Sequence, residues 1–355
     1  MNEYDKFLNS LQSDATKRAY KTFFKKYEEF MGSNDLFCQN NARAIEEKII
    51  EFIVSLREKG LSRSAIRNYV FCVISFYKIN DVVLNTAKIS KFMPKFKKMK
   101  QDRAYERHEI HKLLNIADER LRAVILLMAS TGMRIGAIPD LKVRNLKKLD
   151  NDIYKVTVYE GEKEEYFTFT TPECTNAIDN YIDMRKRYGE NITDDSFLIR
   201  GQFNVRAPSK KQKQTIANTL FGKLRDLSNR SGIRDKNLPV CHGFRKFFSS
   251  QLVESGLLTE LRWLLEGHNL KANDSSYVRT TEQKLLQEYL KAVNNLTINE
   301  EDRLKMKVEL LQGEKNEITT LKNEVNRNAE ANRILYSTFS DVLNLLRVAN
   351  DNTGS

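Results

Sequence analysis

Apolar residues recur at the spacing of an α-helix along most of the chain, and this pattern limits the possible folds more than any other feature. Helix-breaking residues are scarce, with five prolines and 14 glycines among 355 residues. Residues 153–170 depart from the pattern, because β-branched and aromatic residues flank a Glu-Gly-Glu-Lys turn there. The sequence therefore predicts a mainly α-helical protein with one α+β domain, in which a β-hairpin forms a small sheet.

The chain is too long for a single compact domain, and its pattern changes at three places. Residues 1–93 predict an all-α domain, with Ser13 and Ser62 as N-caps of two of its helices. The lysine-rich residues 94–103 predict a basic linker, which either lies against a polyanion or is a solvated tether. Residues 104–297 predict the α+β domain, and residues 298–355 predict a helical or coiled-coil extension.

The extension carries a seven-residue repeat that begins near Leu304. One register of the repeat contains Leu304, Leu311, Ile318, Val325, Asn332, Phe339 and Leu346. A lone helix of this kind has no core of its own, so its apolar row must be buried against something. We predict that it joins copies of the protein; the alternatives are packing against its own chain and partial disorder.

The formal net charge is +12, from 59 Lys and Arg against 47 Asp and Glu, which favours a polyanionic partner. Basic residues lie on the polar face of one predicted N-terminal helix, near the start of another, and in the linker. A helix start suits phosphate because its free N–H groups attract anions. The candidate nucleic-acid contacts are Lys17, Arg18, Lys21, Arg63, Arg67, Lys97 and Lys98.

The sequence predicts no membrane span, because no run of about 18 or more apolar residues occurs. The first residues lack the apolar stretch of a secretory signal, which predicts a cytoplasmic protein. The four cysteines, Cys38, Cys72, Cys174 and Cys241, are widely separated and form no Cys-x-x-Cys pair. This spacing favours reduced, buried thiols over a disulfide framework or a metal site.

Four local patterns in the α+β domain carry residues suited to phosphate chemistry. In the first, Arg134 follows a Thr-Gly-Met sequence at the end of a predicted buried helix, so a turn held by the core would position it. In the second, Lys163 lies in the hairpin turn, where a lysine is usually a solvated tip residue. Neither pattern is specific by itself, since an arginine after a glycine is more often a helix-end cap.

The other two patterns contain two of the four histidines in the chain. His242 and Arg245 lie three positions apart at a predicted helix start, where both can converge on one anion. His268 follows a glycine, and Tyr277 comes nine positions later across a polar stretch. Taken alone, each pattern occurs in many proteins that have no such chemistry.

In their order and spacing, the four patterns resemble the catalytic set of the tyrosine recombinase (lambda-integrase) family. The residues that carry the resemblance are TGMRIGAIPDL, the hairpin lysine of YEGEKEEYFTF, HGFRKFF and LLEGHNLKANDSSYV. The resemblance covers residues 103–295, and residues 1–93 are similar to the family's core-binding helical domain. Details such as HGFRKFF look most like archaeal members, chromosomal or carried by viruses and plasmids.

The resemblance implies a site-specific DNA recombinase or integrase that cleaves and rejoins DNA through a 3′-phosphotyrosine intermediate, without ATP or a metal. The implied catalytic residues are Arg134, Lys163, His242, Arg245, His268 and Tyr277. Tyr277 is the implied nucleophile, with Tyr289 as the alternative. Lys163 is the implied general acid for the 5′-oxygen, with Lys155 as the alternative. The two arginines and His268 would hold the phosphate, and His242 would accept the tyrosine proton.

The implied partners are a double-stranded DNA recombination site and further copies of the protein, in a dimer or tetramer on that DNA. Two other functions are open: a type IB topoisomerase with the same chemistry, and a DNA-binding accessory protein without catalysis. One position departs from the family pattern. The family often has an acidic residue three positions after the first arginine, and here that residue is Ala137.

Overall fold

The computed structural model describes residues 2–32, 41–95, 102–201, 215–233, 235–268 and 281–351. The chain divides into two compact units, Met1–Lys100 and Gln101–Ser355. The division falls inside the lysine-rich segment 94–103. Each unit has its own hydrophobic core.

In the described residues of the N-terminal unit, the regular elements are all helices. They are α1 (Glu3–Ser10), α2 (Asp14–Met31), α3 (Ala42–Glu58), α4 (Arg63–Ile79) and α5 (Thr86–Ser90). The two expected N-caps form, since the Ser13 and Ser62 side chains accept hydrogen bonds from backbone N–H groups of the first turns. The core is rich in aromatic rings, and the Phe24 and Phe76 centroids lie 4.5 Å apart. The short helix α1, which we did not predict, contributes Phe7 to this core.

The second unit surrounds a three-stranded antiparallel sheet with helices. The strands are β1 (Leu146–Leu149), β2 (Ile153–Val158) and β3 (Tyr166–Phe169), paired in that order. The helices are α6 (Arg107–Ile116), α7 (Glu119–Thr131), α8 (Pro172–Arg187), α9 (Ala217–Arg230), α10 (His242–Glu254), α11 (Thr259–Leu265) and α12 (Glu282–Leu296). The predicted fold class, mainly α with a small β-hairpin sheet, is confirmed. Strand β1 and helix α12 are additions to the prediction.

Helix α7 lies at the centre of the second unit, where it packs against α8 and α10. Its apolar side chains are buried on all sides, as expected of a helix with no solvent-facing stripe. The strand β3 packs against the same helix and against α11. Helices α7, α10 and α11 also meet near their ends, where Arg245 of α10 bonds to Gly132 and Glu266, and those ends carry three of the four predicted motifs.

A single continuous helix, α13 (Glu300–Asp351), follows α12 and is 52 residues long. Its first turns touch the core, because Met306 packs against the hydrophobic cluster of the second unit. The described side chains from Lys307 to Ser340 are all exposed. The apolar row of the seven-residue repeat is exposed with them, at 52% for Leu311 and 65% for Val325.

None of the helices within the described ranges has the length and apolar character needed to cross a membrane. Cys72 and Cys174 are buried and Cys241 is half-buried, and all three carry free thiols. Cys38 lies outside the described residues. The predicted burial is therefore confirmed for Cys72 and Cys174, whereas Cys241 is only half-buried.

Candidate active site

The end of helix α7 positions Arg134. The helix ends at Thr131, and its C-cap residue Gly132 has a left-handed φ of +64° and an N–H that donates to the Met128 carbonyl. A Cβ at this position would also collide with the Phe248 ring on α10, so only glycine fits the turn. Arg134 follows in extended backbone and is exposed. Within the described ranges its guanidinium has no hydrogen-bond or ion-pair partner, so it is available to a ligand.

Arg245 is fixed in the protein interior, with 5% of its surface exposed. Its Nη1 donates to the Gly132 carbonyl at 2.8 Å, and its Nη2 donates to the Glu266 carbonyl at 2.6 Å. These bonds tie α10 to the ends of α7 and α11. Burial lowers the pKa of Arg245, but a guanidinium stays charged at any physiological pH. The result is a buried cation whose orientation is set by two backbone oxygens.

His242 is the first residue of α10, and its side chain is exposed. Partial burial of the ring is the main cause that lowers the pKa of His242, followed by the positive charges of Lys246 and Arg245. The imidazole is therefore neutral at neutral pH. A neutral imidazole has one nitrogen free to accept a proton, as the predicted role requires.

His268 lies directly after the left-handed residue Gly267, where a Cβ would collide with the ring of Tyr166 from β3. Its Nε2 lies 2.8 Å from Nη2 of Arg245, and its Nδ1 lies 3.3 Å from Oε2 of Glu266. Partial burial lowers the pKa of His268, and the charge of Arg245 lowers it further. His268 is thus a second neutral imidazole at neutral pH, held between a cation and a carboxylate.

The structure brings four of the predicted residues together. Both arginines, Arg134 and Arg245, contribute to lowering the pKa of each histidine, so all four groups share one electrostatic environment. Tyr166 lies beside them: burial raises the pKa of Tyr166 to about 12, and the charge of Arg245 opposes this shift. Two cations and two neutral imidazoles that converge in this way form a pocket suited to an anion.

Two residues of this pocket, Tyr166 and Glu266, were missed by the sequence analysis. Tyr166 is a half-buried aromatic residue of a strand, and nothing in its local sequence distinguishes it from a packing residue. Glu266 gave a signal that could have been used, because it is an acidic residue that directly follows the largely apolar sequence LRWLL and precedes the Gly-His pair. A carboxylate in that place is expected to be exposed, and it is 4% exposed instead.

Lys163 occupies the turn between β2 and β3, as predicted, and its side chain is exposed. Among the residues that the structure describes, it makes no hydrogen bond or ion pair, and it is not brought into contact with the two arginines. The alternative lysine, Lys155, already has other contact partners. Its Nζ pairs with the carboxylate of Glu282 and lies 4.7 Å from the centre of the Phe167 ring.

Tyr277 lies outside the described residues, as do Lys97 and Lys98. The alternative tyrosine, Tyr289, is completely buried in α12 and donates its hydroxyl hydrogen to the Ser130 carbonyl at 2.8 Å. Burial raises the pKa of Tyr289 well above its usual value. Tyr289 is therefore a core residue whose hydroxyl is both shielded and occupied.

The predicted basic residues of the N-terminal unit lie on two of its helices. Arg18 and Lys21 are exposed on α2, and Lys17 is half-buried with its Nζ 3.8 Å from the carboxylate of Asp14. Arg63 and Arg67 are exposed in the first turns of α4, and Arg63 donates to the Pro94 carbonyl at 2.6 Å. Most of these side chains are accessible to a large anionic partner.

Among known proteins, the chain is similar to tyrosine recombinases. It is 24% identical over 273 residues to the tyrosine recombinase XerA of Pyrococcus furiosus, an alignment that covers 75% of this chain and 86% of XerA. It is 25% identical over 301 residues to the tyrosine recombinase XerC of Rickettsia canadensis, covering 79% and 91% of the two chains.

Two solved structures share the fold. A lambda integrase fragment, in a dimer bound to a COC′ core site, aligns with a TM-score of 0.55 at 15% identity, over 79% of this chain and 95% of the fragment. The XerH recombinase bound to its difH substrate aligns with a TM-score of 0.53 at 18% identity, over 76% and 78%. The phage integrase family model matches residues 103–284, just over half of the sequence and the whole of the pocket described above. The chain belongs to the phage integrase family.

Proposed function

We propose that the protein is a site-specific DNA recombinase that cleaves and rejoins DNA through a 3′-phosphotyrosine intermediate. The observation that carries the proposal is the grouping of Arg134, Arg245, His242 and His268: Nη2 of Arg245 lies 2.8 Å from Nε2 of His268, and both arginines lower the pKa of both histidines. The pocket lies within the segment that matches the phage integrase family. The two relatives described above, which are named tyrosine recombinases, support the same reaction.

The chemistry follows from the charges of the pocket. A phosphodiester is an anion, so attack by another oxygen requires that its charge be neutralised and its oxygens held in line. The two arginines supply fixed positive charge. Tyrosine has an ordinary pKa of about 10, so its hydroxyl proton must pass to an acceptor during attack, and His242 is neutral and can take it.

Each cleavage forms one bond and breaks one. The Tyr277 oxygen bonds to phosphorus as the bond from phosphorus to the 5′-oxygen breaks, and Lys163 gives the departing oxygen its proton. The phosphotyrosine retains the energy of the broken phosphodiester, so attack by a 5′-hydroxyl restores the DNA without ATP. Attack by a hydroxyl from a second DNA partner gives a recombinant strand.

The proposed reaction predicts a covalent protein–DNA complex. The probe is a pool of duplexes with randomised sequence, each nicked close to the cleavage point so that the short 5′-hydroxyl fragment diffuses away. We expect complexes that survive denaturation in SDS, and sequencing of the trapped duplexes gives the recognised site. DNA binding without a covalent complex would support the accessory protein. Relaxation of supercoiled plasmid without joining of two trapped sites would support the type IB topoisomerase.

We propose that the N-terminal unit holds the DNA while the second unit cuts it. Exposed basic side chains on α2 and in the first turns of α4 are suited to phosphate contacts, which give affinity that falls as salt rises. The proposed contacts are Lys17, Arg18, Lys21, Arg63, Arg67, Lys97 and Lys98. We place this activity in the cytoplasm, on the nucleoid, with the gene carried by a host chromosome or by a virus or plasmid.

We further propose that helix α13 joins copies of the protein into a dimer or tetramer. Its described side chains from Lys307 to Ser340 are exposed, and they include the apolar row of the seven-residue repeat. Burying such a row against a second copy removes its apolar surface from water, which is the driving force of coiled-coil assembly. The exposure of the row within these residues disfavours the alternative of packing against its own chain.

A protein that ends at Lys307 is expected to sediment as a monomer, whereas the full chain sediments as a dimer or larger. The truncation point keeps Ile298 and Met306, which pack in or against the core of the second unit. The triple substitution of Leu311, Ile318 and Val325 by Asn is expected to give the same monomer. As a control, Asn at Thr320, Glu324 and Arg327 should leave the assembly intact, and equal masses for all four proteins would remove the role of α13.

A further inference from the structure

Glu266 places a buried carboxylate inside the candidate active site. Its Oε2 lies 3.3 Å from Nδ1 of His268 and 3.8 Å from Nη2 of Arg245. Its Oε1 is buried and has no hydrogen-bond partner among the residues that the structure describes. A buried anion with an unsatisfied oxygen destabilises a fold unless its charge is compensated. The two groups that Oε2 faces, His268 and Arg245, are therefore the groups that can compensate a carboxylate at this position.

The contacts of His268 determine which of its nitrogens carries the hydrogen. A guanidinium has only donors, so the 2.8 Å contact from Nη2 of Arg245 requires that Nε2 of His268 be an acceptor. The hydrogen of the neutral ring is then on Nδ1, the nitrogen that faces Glu266. Arg245 donates to Nε2 of His268, and Nδ1–H of His268 faces the Glu266 carboxylate at 3.3 Å, so the three groups lie in one chain.

This arrangement leaves His268 unable to donate to a phosphate oxygen. In the neutral ring Nε2 is an acceptor, and two acceptors repel each other. The other neutral form would carry its hydrogen on Nε2 and would turn the Nδ1 lone pair toward the Glu266 carboxylate, which is also repulsive. A ring protonated on both nitrogens satisfies Glu266 and a phosphate at the same time.

We propose that Glu266 is a positioning residue that holds His268 ready to take up a proton when the DNA phosphate arrives, an inference that rests on the proposed function. The phosphate oxygen replaces Nε2 as the acceptor of the Arg245 hydrogen. His268 takes up one proton from the solvent at Nε2 and remains protonated. Its Nε2–H then donates a hydrogen bond to the phosphate, while its Nδ1–H continues to face Glu266. Arg245 and His268, which bond to each other in the free protein, then both bond to the phosphate.

The charges around His268 single out Glu266 for this role. The charged groups that act on the ring are Arg245, Glu266, Arg134 and Arg262. The three arginines and partial burial all oppose protonation, and Glu266 is the group among these that favours it. Removal of its charge should therefore make proton uptake harder without removing the phosphate-binding arginines.

A first experiment measures the hydrogen position without DNA. In the protein labelled with ¹⁵N-histidine, the two ring nitrogens of His268 are expected to have the shifts of the Nδ1–H form. Arg245 still donates to Nε2 in Glu266→Ala, so the Nδ1–H form is expected in that variant too. Without the facing carboxylate, however, the Nδ1–H hydrogen should exchange faster with water and the Nδ1 resonance should shift, whereas Glu266→Gln keeps a facing oxygen and should keep the wild-type shift. Equal spectra for the wild type and Glu266→Ala, at unchanged melting temperature, would overturn the positioning role whether or not the protein cleaves DNA.

A second experiment measures single-turnover cleavage of a trapped suicide duplex between pH 6 and pH 9. His268 acts in its protonated form, so cleavage is fast at pH values below the pKa of His268 in the DNA complex and slows as the pH rises above that pKa. Glu266→Gln lowers that pKa because a neighbouring negative charge is removed. We expect the alkaline loss of rate to move to lower pH, with a reduction of about tenfold at pH 8 and near wild-type rates at pH 6. Glu266→Asp keeps the charge and should retain the wild-type profile.

The control variant is Glu190→Gln, which removes another largely shielded carboxylate of the same unit, with its side chain 9% exposed. Glu190 pairs with Arg185 and Arg200 and with neither histidine of the site, so its loss should lower the melting temperature and leave the pH profile in place. In a His268→Gln background, Glu266→Gln should have no further effect. A Glu266→Gln profile that superimposes on the wild type, or that falls equally at every pH, would overturn the inference. If the wild-type protein forms no covalent complex with DNA, the proposed function itself is wrong.

Discussion

Tyr277→Phe protein will bind DNA with nearly the wild-type affinity and will form no covalent complex with it. The substitution removes one hydroxyl oxygen, which is the proposed nucleophile, whereas affinity rests on the Lys and Arg contacts to phosphate. Without the nucleophile the loss of cleavage is complete within the sensitivity of the gel. The measurement is SDS-resistant complex formation on the suicide duplex, beside a binding titration on the same duplex.

Tyr289→Phe is the matched control for this experiment. Its hydroxyl donates to the Ser130 carbonyl in the core, so its removal costs about 1 kcal/mol of folding stability and leaves cleavage intact. If Tyr277→Phe protein still cleaves, or if Tyr289→Phe protein folds but cannot cleave, the assignment of Tyr277 as the nucleophile is wrong. The pair therefore separates loss of chemistry from loss of a tyrosine.

Lys163→Ala will slow the cleavage of an ordinary phosphodiester by about 10²- to 10⁴-fold, the usual contribution of a general acid. The same variant will cleave a duplex with a 5′-phosphorothiolate at the scissile position at close to the wild-type rate. Sulfur leaves without being protonated, so the acid becomes dispensable on that substrate. The exposed hairpin turn that carries Lys163 leaves the side chain free to reach bound DNA.

Lys155→Ala is the control, because the amine of Lys155 already pairs with Glu282 and lies over the Phe167 ring. It should affect both substrates equally, through stability alone. Equal loss on both substrates for Lys163→Ala would reduce Lys163 to a binding role. If the phosphorothiolate substrate restored the cleavage rate of Lys155→Ala, Lys155 would be the general acid instead.

The sequence predicted those parts of the site that are encoded locally. Gly132 and Arg134 belong to a helix end, and His242 and Arg245 to a helix start, so their placement follows from short-range signals such as the left-handed glycine. The hairpin was predicted for the same reason, since its strands alternate around a glycine turn. The mainly helical class followed from the scarcity of breakers.

The parts that were missed depend on contacts between residues far apart in the chain. Tyr166 belongs to the pocket because Gly267, about a hundred positions later, leaves room for its ring. The burial of Glu266 depends on how α10 and α11 pack, which no local pattern encodes. The position three residues after Arg134 is the buried Ala137, and the carboxylate beside the paired arginine and histidine comes instead from Glu266. Strand β1 was missed because its four residues, LKKL, are too few to show an alternation.

The length of helix α13 has a consequence for how DNA partners find each other. At about 1.5 Å per residue a 52-residue helix is about 78 Å long, while a domain of some 200 residues is only about 40 Å across. Most of such a helix extends beyond any surface that its own domain could offer. Two proteins joined through it remain together while their DNA-bound parts are well separated. Capture of the second DNA site then becomes a search within one tethered assembly, governed by a local effective concentration rather than by the concentration of free enzyme.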